Sequence, residues 1–170
     1  EKKVEGFVKS RYPTPNAAFL PDLPDQPLEA YYIYSMWAAQ KYLQGDDFLY
    51  LHGDLFHHPK LAKKLIKFPH SGALVHKNFV SQKDFNAQVE NGLIKKIGVK
   101  VFGEGVGFCL PFYKFLKDDF AIWMSEINRF IEARRWDCYA EEALNQVTNR
   151  VKLYPVYFEQ EYGMEIDDFK

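Results

Sequence analysis

The 170-residue chain is poor in cysteine: it has two, Cys109 and Cys138, each in an apolar or aromatic setting. They form no C-x-x-C metal pattern and no disulfide framework, so a reducing cytoplasm is the expected location. Long apolar runs are also missing. None approaches the ~20 residues that span a bilayer, and no signal peptide is visible. Nor is there an excess of either charge, since 22 basic and 23 acidic residues leave a formal net charge of −1. A duplex-binding surface needs a basic excess, so nucleic acid is not an expected partner. The five histidines, His52, His57, His58, His70 and His76, contain no H-x-x-x-H spacing. His52 and Asp54 are expected to point to opposite faces of an extended segment, so zinc is not expected.

Hydrophobic residues make up 47% of the chain and charged residues 26%, which suits one globular domain with a real core. Aromatics reach 17%, a surplus that either enlarges the core or lines a pocket for a flat or cationic ligand. Lys60, Lys63, Lys64 and Lys67 recur at helical spacing beside Leu61, Leu65 and Ile66, which reads as the solvated face of an amphipathic helix.

Along the chain, residues 1–12 read as the end of a helix that breaks at Tyr12-Pro13-Thr14-Pro15, with a short strand at Ala17–Leu20. Pro21, Pro24 and Pro27 then impose an extended loop. A helix is predicted over 28–43, burying Ile33, Met36, Trp37 and Tyr42 and ending at Gly45. Asp47–Leu51 suits a buried strand, 59–67 a helix, and Gly72–His76 a second strand. Asn91-Gly92 between Gln88–Glu90 and Leu93–Ile97 reads as a tight type I′ hairpin. A strand through Phe108-Cys109-Leu110, helices over 117–133 and 139–149, and a strand over Val151–Phe158 complete the pattern. Pro155 suggests that the last strand is an edge or carries a bulge. With no repeat, linker or low-complexity segment, residues 1–170 read as a single α/β domain with a mixed, mostly parallel Rossmann-like sheet and an inserted hairpin.

Asp54 stands out among the acids. Gly53 lets the backbone turn sharply as the predicted strand 47–51 ends, and open α/β sheets gather ligands at the carboxyl ends of their strands. A carboxylate there suits a hard divalent cation such as Mg²⁺, which takes one or two carboxylates plus substrate phosphates. The alternative is that Asp54 caps a following helix.

Several segments carry a resemblance. Asp46-Asp47-Phe48-Leu49-Tyr50-Leu51-His52-Gly53-Asp54 resembles the metal-binding segment of the nucleotidyltransferases that join an NTP to a phosphorylated sugar or alcohol. Tyr31-Tyr32-Ile33-Tyr34-Ser35-Met36-Trp37 resembles the Asn-Ile-Tyr-Ser-Leu helix start of the phosphocholine cytidylyltransferase-like branch, with Tyr32 in place of the Asn. Gly105-Val106-Gly107-Phe108 is similar to that family's Gly-x-Gly strand, and Tyr139-Ala140-Glu141-Glu142-Ala143-Leu144-Asn145 to its Tyr-x-Glu-Asp-Ala-Leu-Asn helix. Met164-Glu165-Ile166-Asp167-Asp168 resembles its closing Glu-Ile-Asp segment. The five occur in the family's order.

The resemblance implies an Mg²⁺-dependent nucleotidyltransferase, taking an NTP (CTP the expected one) and a small phosphorylated alcohol such as phosphocholine. Asp54 and Asp167 would share the metal, and Lys100 would contact phosphate. Tyr139 and Glu141 would line the acceptor pocket, with Tyr34 and Ser35 near the nucleotide. For Lys100 the alternative is a solvated strand lysine, for Tyr139 and Glu141 a helix start with an exposed acid, and for Tyr34 core packing. A homodimer is compatible with the sequence. The family's opening Gly-x-Gly-x-Arg-Leu phosphate loop has no counterpart here, so the fold is expected to be incomplete at its amino end and this piece alone inactive. A sugar-1-phosphate enzyme and a non-catalytic binding module of the same fold are the alternatives.

Overall fold

The computed structural model describes residues 32–43 and 45–166. The helix and strand expected before Tyr32, and Asp167, lie outside them. Helix α1 (Tyr32–Leu43) is followed by β1 (Phe48–Leu51), β2 (Leu55–His57), α2 (Pro59–Lys67), β3 (Gly72–His76), β4 (Asn86–Glu90) and β5 (Leu93–Gly98). Then come β6 (Val106–Phe115), α3 (Lys117–Glu132), α4 (Ala140–Asn145), β7 (Tyr154–Phe158) and β8 (Gly163–Glu165).

Strand β6 organises the molecule. Its residues alternate between two cores. Cys109, Tyr113 and Phe115 enter one, with Trp123 and Ile127 of α3 and Ile33 of α1. Phe108, Leu110 and Phe112 enter the other, with Leu61 and Leu65 of α2. A strand covered on both faces reads as an unbroken apolar run, and Val-Gly-Phe-Cys-Leu-Pro-Phe-Tyr does so.

One edge of β6 pairs with β3. Its other edge is divided. β4 occupies Val106–Phe108 and β1 occupies Phe112–Phe115, both antiparallel to β6, so the carboxyl end of β1 meets the amino end of β4 beside Cys109–Pro111. This gap is where the site forms.

The α/β class, the mixed sheet and the inserted hairpin are as the sequence indicates. The balance of directions differs. β3 with β7 is parallel, whereas the other ladders of this sheet are antiparallel among the described residues, because β6 runs against all its neighbours and β4–β5 is a hairpin. That hairpin turns on Asn91 and Gly92 at φ 52° and 74°, the pair of positive angles a type I′ turn needs. Among the described residues β7 is an edge strand of this sheet, consistent with its Pro155. Gly107 allows β6 to approach β3 closely, since a Cβ there would stand 2.6 Å from the His76 carbonyl oxygen.

Three expectations need correction. Tyr42 faces solvent at 52% exposure, its ring beneath Lys41, and Ile66 is exposed while Leu61 and Leu65 are the buried residues of α2. The last helix ends at Asn145, because residues 146–150 form turns stitched by Gln146, Val147 and Arg150 amides. The small β2–β8 sheet was not legible from either three-residue run.

Candidate active site

At the end of β1 the His52 amide donates to the Pro111 carbonyl at 3.1 Å, which keeps residue 52 against β6. Gly53 and Asp54 then turn outward and are exposed. The chain continues as β2, not as a helix, and the α2 cap is His58, so the cap reading of Asp54 does not hold. β8 returns alongside β2 with Glu165 opposite Leu55, and the Ile166 amide donates to the Asp54 carbonyl at 2.9 Å.

This brings three donors from distant sequence to one place. Ligand atoms of His52, Asp54 and Glu165 all lie within 4.8 Å of one another. The turn at Gly53 makes His52 and Asp54 converge, which corrects the expectation of opposite faces. His52 is buried, with Nδ1 3.4 Å from Glu165 Oε1 and Nε2 3.5 Å from Glu141 Oε1. The Tyr113 hydroxyl of β6 donates to the same Glu141 oxygen at 3.0 Å. Glu141 is 1% exposed, so the exposed-acid reading fails for it.

Burial opposes a charge on the His52 ring, but the Glu141 and Glu165 carboxylates beside it outweigh it, raising the imidazole from 6.5 to about 9. Burial first, then the Glu141 charge, hold the Tyr113 hydroxyl well above its usual value. Burial likewise pushes the Cys109 thiol up and leaves it inert.

Two cavities adjoin this group. One, of about 430 Å³, is lined by Phe85, Lys96, Lys100, Tyr139, Glu141 and Asn145 among others. The second, of about 400 Å³, is lined by Ser35, Met36, Tyr50, His52, Gly53 and Asp54 with neighbours from α1. The wall between them is the His52–Glu141 pair and Phe85, whose ring meets His52 edge-on at 5.6 Å and Tyr139 at 4.8 Å.

Of the residues singled out from sequence, Lys100, Tyr139 and Glu141 thus share the first cavity, and Ser35 and Asp54 share the second. Tyr34 does not line that second cavity. Its ring packs on Trp37 at 5.2 Å. His52, Phe85, Tyr113 and Glu165 were not proposed as site residues. A buried histidine two residues before a strand-end Asp was the one available signal.

The amide of Asn145 grips β5 from α4, donating to the Ile97 carbonyl at 2.7 Å and accepting from its amide at 2.8 Å. Asn145→Ala strands both groups, and a loss of about 2 kcal/mol is expected in denaturant unfolding. An unchanged midpoint and slope would show that this clasp does not hold the first cavity together.

In fold the chain is similar to solved nucleotidyltransferases. The chain superposes on the CTP:phosphocholine cytidylyltransferase from Streptococcus pneumoniae with a TM-score of 0.71 and 12% identity, covering 97% of this chain and 68% of that one. It also matches the inositol-1-phosphate CTP transferase from T. maritima, with a TM-score of 0.58, 18% identity, and 79% and 54% of the two chains covered. A UDP-glucose pyrophosphorylase complexed with UDP-glucose gives a TM-score of 0.54 at 12% identity, over 81% and 58%. The chain therefore spans between about half and two thirds of the length of these proteins. No protein-family model and no curated protein sequence matches it. Among the described residues, no helix is long and apolar enough to cross a membrane.

Proposed function

We propose that this chain is the acceptor- and metal-binding part of a nucleotidyltransferase that joins a nucleotide, with CTP as the expected donor, to a small phosphorylated alcohol such as phosphocholine, releasing pyrophosphate. The observation that carries this reading is the pair of cavities linked through the His52–Glu141 contact, with Asp54 in one and Glu141 and Tyr139 in the other. Likeness in fold to a phosphocholine cytidylyltransferase supports it.

In this reading the nucleotide lies in the cavity of Ser35 and Asp54, and the acceptor in the cavity of Tyr139. On the resemblance, Asp54 and Asp167 would hold a divalent cation such as Mg²⁺, which would supply positive charge to the phosphates. Lys100, exposed at the mouth of the acceptor cavity, offers a cation to the acceptor phosphate. Phe85 and Tyr139 present rings at right angles, and Glu141 behind them gives the wall negative charge. A cytoplasmic location and a homodimer are compatible with this reading.

The test is steady-state kinetics of the complete protein with CTP and each of phosphocholine, phosphoethanolamine and a hexose 1-phosphate. Phosphocholine is the expected acceptor. Preference for the hexose phosphate removes the cationic pocket, and turnover of none removes the enzyme reading in favour of a binding module. Tyr139→Ala is expected to raise the acceptor constant about 2- to 30-fold, the equivalent of roughly 0.5–2 kcal/mol for one aromatic face, with the CTP constant little changed. A change confined to the CTP constant would move Tyr139 to the nucleotide site.

A further inference from the structure

The donor set at the strand end is not what an oxygen-seeking ion alone would select. Mg²⁺ takes carboxylates, phosphates and water, whereas imidazole suits first-row transition ions such as Fe²⁺, Ni²⁺ and Zn²⁺. Here an imidazole stands with two carboxylates, their ligand atoms within 4.8 Å of one another. Donors on one ion at about 2.1 Å lie about 3.0 Å apart when adjacent and about 4.2 Å apart when opposite. The 3.4 Å between His52 Nδ1 and Glu165 Oε1 is close to the adjacent spacing, and Asp54 lies on the exposed side, from which an ion enters.

The other ring nitrogen completes the argument. Ligating histidines characteristically give their second N–H to a carboxylate, which fixes the tautomer and aims the ring. His52 Nε2 faces Glu141 Oε1 at 3.5 Å, and that oxygen is itself held by the Tyr113 hydroxyl at 3.0 Å. The chain Tyr113–Glu141–His52 therefore points Nδ1 at the space shared with Glu165 and Asp54.

We propose that His52 Nδ1, Asp54 and Glu165 form a divalent-cation site of mixed nitrogen and oxygen donors that favours a first-row transition ion over Mg²⁺. The proposal rests on the reading of Asp54 as a metal ligand and adds His52 and Glu165 to it. It also links the two cavities, because the group that aims the imidazole, Glu141, is the wall of the acceptor pocket.

The test uses Mn²⁺ alone, without substrate, on the full chain freed of metal with a chelator. Titration followed by electron paramagnetic resonance is expected to show one tight Mn²⁺ per chain. Pulsed spectra of the bound ion should carry the nitrogen-14 modulation of an imidazole. Mg²⁺ should displace it only at concentrations at least ~10-fold higher than Mn²⁺ requires. His52→Gln should abolish the modulation and weaken Mn²⁺ by at least ~10-fold, with Mg²⁺ affinity little altered. Because the modulation is read in the unaltered protein, the proposal stands or falls even if that variant does not fold. Bound Mn²⁺ without imidazole nitrogen, Mg²⁺ competing at parity, or no Mn²⁺ binding each overturns it. Nitrogen-ligated Mn²⁺ in a protein that transfers no nucleotide to any acceptor would leave this site standing and remove the proposed function instead.

Discussion

Asp54→Asn in the complete protein is expected to reduce nucleotidyl transfer by roughly 10²–10³-fold, the cost of losing one well-placed electrostatic group at a reacting centre. The amide keeps the shape of the side chain but loses its charge, so a divalent cation loses its most accessible anionic donor. Stability should hardly move, because Asp54 is exposed and its carbonyl, not its side chain, accepts the hydrogen bond from the Ile166 amide. Removing one of the carboxylates near Glu165 also relieves like-charge repulsion in the metal-free protein. The measurement is kcat against CTP and phosphocholine over a range of divalent cation, paired with urea unfolding of both proteins under chelator. Activity within about threefold of the unaltered protein at saturating metal would remove Asp54 from the metal site. A large fall in activity matched by a large fall in stability would mean that the carboxylate is structural.

What could be read from the chain follows from how local each signal is. The Asn91-Gly92 hairpin, the amphipathic α2 and the apolar runs of β3 and β6 are set by neighbours in sequence, and each formed close to where it was expected. Asp54 was recognisable because the glycine before it and the apolar run before that are contiguous. The trio around His52 was not legible. Glu141 and Glu165 reach it only because β6 leaves a gap at Cys109–Pro111 and because β8 folds back on β2, and both are long-range pairings. The three-residue strands β2 and β8 have no periodicity to detect. Phe85 was hidden for a related reason. Nothing local separates it from other aromatics, yet the register of β4 on β6 sets its ring against His52. Ile66 and Tyr42 show the converse error, since helical spacing marks an apolar face without saying how wide the covering surface is.

The buried imidazolium should make stability fall with rising pH across a window in which carboxylates no longer titrate. His52 is raised from 6.5 to about 9 on folding, against its own burial, by Glu141 from α4 and Glu165 from β8. Also near it are the exposed Asp54 carboxylate, the Tyr113 hydroxyl on Glu141, and the rings of Tyr50 and Phe85. A folded value above the unfolded one means that the native state holds the proton more tightly. The stabilisation is therefore complete below about pH 6.5, declines between about 6.5 and 9, and is absent above that. With each unit near 1.4 kcal/mol, the whole effect is about 3 kcal/mol. It is measured by urea unfolding at pH 6, 7, 8 and 9 with chelator present, so that no cation replaces the proton. His52→Gln is the reference, because His57, His58, His70, His76 and the chain amine cancel in the difference between the two proteins. The unaltered protein should lose stability faster than the variant by about 1 kcal/mol per pH unit through the middle of this range. Parallel curves would mean that His52 is neutral in the fold, with one N–H to offer a single carboxylate and no ion pair.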